Sequence, residues 1–126
     1  MEKNKTMDYN DFAKWLDRIL ENGLPDNSVA INFNLYEEVD DGWSIQLIST
    51  LSFDIDDDDW VCDEAFSSKE DLYFWDEKNS WDKILNEAIE IINKYLKNGK
   101  YNELLKSYVA IGTGFVDGDV EIIYKK

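Results

Sequence analysis

Two stretches of alternating apolar and polar residues constrain the fold of this chain more than any other feature. In residues 29–36 the odd positions are apolar, and residues 43–55 repeat the pattern, beginning with Trp43, Ile45 and Leu47. Successive side chains of a strand point to opposite faces, so a period of two predicts strands with one buried face. The rest of the chain must therefore supply elements that cover this face.

The turn between these strands is predicted at residues 40–42 from the faces of the side chains. A two-residue turn at Asp41 and Gly42 would place core positions of one strand opposite surface positions of the other, because register and face are linked. A three-residue loop with Gly42 in the left-handed conformation instead places Leu35 opposite Leu47. We therefore expect a hairpin with both apolar sets on one face.

Helical periodicity predicts two longer helices. Apolar residues recur at three- and four-residue steps over residues 8–22 and 80–98, and the second pattern is preceded by Ser80 and followed by Gly99. A short helical piece is expected at residues 101–105. Because an isolated amphipathic helix is only marginally stable in water, each apolar stripe is expected to face the core.

A second hairpin is predicted near the C-terminus, with its turn at residues 117–118, because Asp-Gly suits a type I′ turn. The register sets Ile111 opposite Tyr124 and puts the bulky apolar residues on one face. Gly112 and Gly114 then fall on the other face, where close packing against a neighbouring element is expected to account for them.

The order of these elements predicts an α+β fold of order α-β-β-(β)-α-(α)-β-β, with further short strands near residues 60–66 and 72–75. We expect an antiparallel sheet of about four to six strands with helices packed on one face. Hydrophobic residues make up 44% of the 126 residues, which is enough for one core. Residues 1–126 are therefore expected to form a single globular domain.

The chain has 28 acidic and 13 basic residues, a formal net charge of −15 and no histidine. Nucleic acids and anionic membranes are bound through Lys and Arg, so neither is expected as a partner. A basic protein or a cation suits this surface, and the alternative is that the charge serves solubility alone. No apolar run approaches the ~20 residues that cross a bilayer. Because Cys62 is the only cysteine and Met1 to Thr6 are mostly charged and polar, a cytoplasmic protein is expected.

Catalytic and metal sites are not predicted. The absence of histidine removes Ser-His and Cys-His nucleophilic chemistry, and we expect no enzyme activity, catalytic residue or cofactor. Asp54, Asp56 and Asp58 match the first three ligand positions of a calcium-binding EF-hand loop. The match ends there, because Asp59 stands where glycine is required and Ala65 where a bidentate glutamate belongs.

An acidic segment interleaved with aromatic residues is the candidate partner-binding site. Aromatic anchors within a charged rim are typical of protein-binding surfaces. The predicted partner-binding residues are Asp54, Asp56, Asp57, Asp58, Asp59, Trp60, Asp63, Glu64 and Trp75. The alternative is that the aromatic residues lie in the core and the acidic ones are only solvated.

The Trp- and Asp-rich middle of the chain and its C-terminal Gly-Phe-Val-Asp-Gly-Asp sequence, Gly114 to Asp119, resemble the immunity proteins of bacterial polymorphic-toxin and contact-dependent inhibition systems. The resemblance is one of size, charge and element order. It implies a non-enzymatic inhibitor that binds a basic toxin domain, often a nuclease, and blocks its active site. The alternative function is a calcium-responsive or other acidic protein-binding module without a toxin partner.

Overall fold

The computed structural model describes residues 6–126, so residues 1–5 of the predicted domain lie outside the described part. Three helices and six strands follow one another there in the predicted order. Their bounds are α1 (Tyr9–Glu21), β1 (Ala30–Glu37), β2 (Gly42–Thr50), β3 (Glu64–Ser67), β4 (Tyr73–Asp76), α2 (Trp81–Asn98), α3 (Asn102–Lys106), β5 (Ala110–Phe115) and β6 (Glu121–Lys125), with a 3-10 helix at Asp58–Cys62. The α+β class is confirmed.

The six strands form one sheet with β1 at its centre. The strand order is β3-β2-β1-β5-β6, and β4 also pairs with β2. Neighbouring strands are antiparallel except β1 and β5, which run parallel. A parallel pair needs a long crossover connection, and α2 and α3 lie in the connection that leads to β5. The sheet is thus mostly antiparallel, with one parallel pair that the sequence pattern did not predict.

The helices pack on one face of the sheet, here called the core face. Alternate residues of the central strands, such as Ile31, Phe33 and Leu47, point into this layer. The helices contribute Phe12, Trp15, Leu16, Ile19 and Leu20 from α1 and Ile84, Ala88, Ile91, Ile92, Tyr95 and Leu96 from α2. The predicted apolar stripes of both helices therefore face the core, except for Trp81 at the start of α2, which is exposed.

Hydrogen bonds fix α1 at its start and against α2. Asp8 caps α1 by accepting a hydrogen bond from Asp11 N at 3.1 Å. Tyr95 of α2 is fully buried, and its hydroxyl donates to Asp17 of α1 and accepts from Tyr101 N. The Tyr95 hydroxyl is the only polar atom of this buried side chain, and these two hydrogen bonds compensate for its removal from water.

The β1–β2 hairpin has the predicted faces but a different register. Leu35 lies opposite Ile45, and Leu47 lies opposite Phe33, two residues from the predicted pairing. Because the difference is even, both apolar sets remain on the core face.

The turn of this hairpin also differs from the prediction. Its left-handed residues are Asp40 (φ 56°) and Asp41 (φ 60°), and Gly42 is not among them. Aspartate is among the residues that tolerate this conformation best after glycine. Gly42 instead allows close packing within the turn, because a Cβ there would lie 3.0 Å from Val39 O.

The β5–β6 hairpin keeps its predicted register only at its open end. Ile111 lies opposite Tyr124 as predicted, but the register then shifts by one residue and Thr113 lies opposite Glu121. An irregular position of this kind adds a residue to one strand and bends it locally. The prediction that the bulky apolar residues share one face is therefore wrong for Ile122, which lies opposite Gly112 on the other face.

Close packing accounts for the two glycines of β5, as the sequence predicted. They lie on the sheet face opposite the core face, here called the outer face. A Cβ on Gly112 would lie 2.7 Å from Asn32 Oδ1, and a Cβ on Gly114 would overlap the backbone carbonyl of Asp119. Gly114 therefore cannot carry a side chain without a shift of the backbone, whereas a side chain on Gly112 would have to displace neighbouring side chains.

The second predicted strand is too long. β2 ends at Thr50, and Leu51 and Ile55, which the alternation placed on the core face, are exposed. Trp60, expected in a third strand, lies in the 3-10 helix. Aspartate has low strand propensity, so the acidic residues at 54–59 end the sheet pairing although the apolar alternation continues.

Gly114→Ala is expected to lower the free energy of unfolding by about 2 kcal/mol, because the new methyl group meets backbone that cannot rotate away. Gly118→Ala is the matched control, since its Cβ would be 3.6 Å from the nearest atom and its φ is not left-handed. That variant should change stability by less than about 0.5 kcal/mol. Urea denaturation measures both, and equal values would contradict the packing explanation.

Candidate protein-interaction site

Residues 54–59, here called the aspartate segment, form an exposed connection that leads from β2 into the 3-10 helix. Two of its carboxylates fold the segment itself. Asp54 Oδ1 accepts from Asp56 N at 2.9 Å, and Asp57 Oδ1 accepts from Asp59 N at 3.0 Å. Aspartate side chains commonly stabilise turns in this way.

A third carboxylate attaches the aspartate segment to another part of the fold. Asp58 Oδ2 accepts from Val120 N at 3.1 Å, in the connection between β5 and β6. The carboxylates of Asp56 and Asp59 accept no hydrogen bond from residues 6–126, so these two are the ones free to contact a partner.

The predicted aromatic anchors are buried. Trp60 and Trp75 are 4% and 6% exposed. Trp60 packs edge-on against Phe53 with ring centroids 5.1 Å apart, and Trp75 stacks on Tyr73 at 5.6 Å. For these two tryptophans the structure matches the alternative left open by the sequence, in which the aromatic residues belong to the interior.

Asp63 and Glu64 extend the exposed acidic surface beyond the aspartate segment. Asp63 Oδ2 accepts from Ser52 Oγ at 2.8 Å, and Glu64 begins β3 opposite Thr50. The seven acidic residues of the predicted site are therefore all exposed along one stretch of chain, without the aromatic partners expected among them.

An open groove of 1110 Å³ lies at the edge of the sheet where β1 and β5 end. Strands of a parallel pair end at the same edge, so the segments that follow them lie side by side. This groove, here called the acidic groove, is lined by three segments: residues 35–39 at and beyond the end of β1, Trp81, Asp82, Leu85 and Asn86 at the start of α2, and residues 115–119 with Glu121 at the β5–β6 connection.

Trp81 is the largest of the exposed apolar residues that line the acidic groove, and 62% of it is exposed. Its ring lies edge-on to Phe115 with centroids 6.3 Å apart, and Phe115 lies 5.9 Å from Trp43 in the core. Val39 and Val116 are also exposed and line the groove. Contacts from Trp43 through Phe115 thus hold the exposed indole of Trp81 in place. A group of exposed apolar side chains of this kind is typical of a binding site.

The charge of the acidic groove has a single sign. None of its lining residues is Lys or Arg. Its carboxylates belong to Glu37, Glu38, Asp82, Asp117, Asp119 and Glu121. Asp58 bonds to Val120 N, between the lining residues Asp119 and Glu121, so the aspartate segment lies next to this part of the groove and adds to its negative charge. Clefts lined by one sign of charge concentrate the electrostatic field.

Sequence reasoning missed the apolar part of this groove. Trp81 fits the apolar stripe of α2 and is therefore predicted to lie in the core. One signal favoured exposure of Trp81: it is the first residue of the helix, where no earlier turn covers it. The Gly114 to Asp119 sequence carried the resemblance to immunity proteins but did not predict a groove. The meeting of these segments depends on the parallel pairing of β1 and β5, which the pattern did not predict.

The described residues contain neither a metal-ligand cluster nor a membrane-spanning helix. Within residues 6–126, no group of three or more His, Cys, Asp or Glu side chains could hold a metal ion. The calcium-responsive alternative therefore gains no candidate ligand cluster in this part of the chain. None of the helices there is long and apolar enough to cross a membrane.

Away from the groove, Glu87 lies beside the buried Glu77 and has a raised pKa. Glu77 is 6% exposed and accepts hydrogen bonds from Trp75 Nε1 at 3.2 Å and Asn79 Nδ2 at 3.0 Å. Burial, the adjacent Glu77 carboxyl and the charge of Glu90 raise the pKa of Glu87 to about 7. Neither member of the pair lines the acidic groove.

Comparisons with protein-family models, with curated proteins and with solved structures gave no match. The geometry and charge of the acidic groove are therefore what remain to indicate function.

The raised pKa of Glu87 predicts that stability falls between pH 5 and pH 8. The folded protein binds more protons than the unfolded chain in this range, so the stabilising contribution is present at low pH and lost as pH rises through about 7. Glu87 is partly exposed, and solvent screening limits the effect to about 1 kcal/mol.

Glu87→Gln should reduce the difference in unfolding free energy between pH 5 and pH 8 by this amount, as measured by urea denaturation. Glu70→Gln, at an exposed residue with no side-chain hydrogen bond to residues 6–126, should keep the wild-type difference. The same pH dependence in the wild-type protein and in Glu87→Gln would contradict the assignment.

Proposed function

We propose that this chain is a non-enzymatic binding protein of the cytoplasm that neutralises a basic partner protein, as an immunity protein neutralises a toxin domain. The acidic groove is the observation that supports this function most directly. It combines exposed apolar side chains with six carboxylates and no cationic residue in its lining. Such a surface is complementary to the cationic cleft of a protein that binds phosphates, for instance a nuclease.

The two parts of the negative surface suit two stages of binding. The aspartate segment and the groove carboxylates attract a cationic protein from a distance and accelerate its association. The exposed apolar residues around Trp81 then set the lifetime of the complex, because buried aromatic anchors dominate the binding energy of protein interfaces.

The proposal requires a basic partner encoded close to this chain. We expect the gene immediately upstream to encode a large secreted protein with a variable C-terminal domain. Expression of that domain alone should arrest bacterial growth, and co-expression with this chain should restore it. Growth arrest that persists in the presence of the folded chain would overturn the proposal.

Charge reversal at the free carboxylates should slow association with that domain. Asp56→Lys and Asp59→Lys avoid the three aspartates that hold the segment together. We expect the double variant to associate about tenfold more slowly at low salt, with the difference shrinking as salt screens the charges. Stopped-flow fluorescence measures the rates.

The matched control carries the same change in net charge at sites remote from the groove. Asp26→Lys lies in the connection that leads into β1, at the opposite end of this strand from the groove, and Glu103→Lys lies on α3. Equal slowing by the two double variants would show that only total charge matters, against a directed negative surface.

A further inference from the structure

We propose that the acidic groove holds an amphipathic α-helix of the partner, with apolar residues on its floor and Lys or Arg side chains towards its carboxylates. This inference rests on the proposed function and specifies the element that is recognised. Its starting point is the clustering of exposed apolar residues. Val39, Trp81 and Val116 are among the exposed large hydrophobic side chains of residues 6–126, and all three line this one groove.

The backbone around the groove offers little free strand edge to an extended peptide. β1 is paired on both sides as far as Leu35, and at this end only its last two residues pair with β2 alone. Val116 N bonds to Leu35 O at 3.2 Å, and each following segment turns back on itself, with bonds from Gly42 N to Val39 O at 3.0 Å and from Gly118 N to Phe115 O at 2.8 Å. Of the edge strand β6, only the first residue lines the groove.

An occupant must therefore satisfy its own backbone hydrogen bonds, because burial of an unpaired amide is costly. A helix meets this condition, whereas an extended segment needs a neighbouring strand. Helix recognition then works through side chains at i, i+3, i+4 and i+7, which is the kind of contact that an apolar floor offers.

The size of the groove agrees with this occupant. A volume of 1110 Å³ equals that of a cylinder about 10 Å wide and about 14 Å long. At the helical rise this length corresponds to about nine residues, or two to three turns. Such a segment presents two or three apolar side chains to the floor and leaves the flanking positions near the carboxylates.

The negative charge of the groove determines which residues suit the polar face of the bound helix. With six carboxylates and no cation in the lining, an acidic or neutral flank would leave the groove charges uncompensated. Lys and Arg flanks pair with them and also approach the faces of aromatic rings favourably. The partner element is thus a basic amphipathic helix.

Two designed peptides of about 18 residues, each built from the same numbers of Leu and Lys, test the proposal. One has Leu at helical spacing and the other alternates Leu with Lys, which favours a strand. We expect the helical peptide to bind about tenfold more tightly in isothermal titration calorimetry. Neither peptide contains tryptophan, and Trp15, Trp43, Trp60 and Trp75 are buried, so a change in the protein's emission on binding reports on Trp81.

Trp81→Ala should weaken binding of the helical peptide about tenfold, as loss of a central aromatic anchor does. Phe74→Ala is the matched control, because Phe74 is 60% exposed and lies outside the groove. Circular dichroism verifies that both exposed-site variants fold.

Equal binding of the two peptides, no binding of either, or an unchanged affinity of Trp81→Ala would overturn the helix-in-groove proposal. These results differ from those that test the proposed function. Growth rescue and charge-dependent association with the upstream domain would still hold if that domain were bound through another kind of element.

Discussion

The parallel pairing of β1 with β5 is the constraint on which the rest of the structure depends. It demands a crossover, and the two helices in that crossover pack on the core face together with α1. It also brings the ends of both strands to one edge of the sheet, where the segments that follow them form the acidic groove. On the outer face, Gly112 and Gly114 let neighbouring backbone and side chains approach this pair closely.

The large excess of acidic residues is divided between two tasks. Some carboxylates accept hydrogen bonds from backbone N–H groups, as Asp8 does at the start of α1 and Asp58 does with Val120. Others, such as Asp56 and Asp117, face solvent, and their mutual repulsion opposes folding. The hydrophobic core between the helices and the sheet offsets that repulsion, because it forms a continuous layer of aromatic and aliphatic side chains.

Local pattern was enough to predict the element order, the buried stripes of both long helices apart from Trp81, and the side-chain faces of the β1–β2 hairpin. The exact pairing was not predictable to the same extent, because the β1–β2 register depends on a turn in which Asp40 and Asp41, instead of the glycine, adopt the left-handed conformation. A period of two fixes which face a residue occupies, and registers that differ by two residues satisfy it equally well.

The acidic part of the candidate site was predictable from the sequence, but its apolar part was not. The exposure of the aspartate segment follows from charge density alone, whereas the burial of Trp60 and the exposure of Trp81 depend on tertiary neighbours far along the chain. The prediction grouped the aspartate segment with Trp60 and Trp75, the tryptophans nearest to it in the sequence. In the fold, the exposed tryptophan of the adjoining groove is Trp81, more than twenty positions further along the chain.

The walls of the acidic groove come from the end of β1, the start of α2 and the β5–β6 connection, which are widely separated in the sequence. No fragment of the chain contains the whole surface. During synthesis a ribosome-bound intermediate that lacks β5 and β6 therefore lacks one wall of the groove. If the groove binds a partner as proposed, full recognition would require that the C-terminal hairpin has emerged and joined the sheet, which would make binding dependent on completed folding.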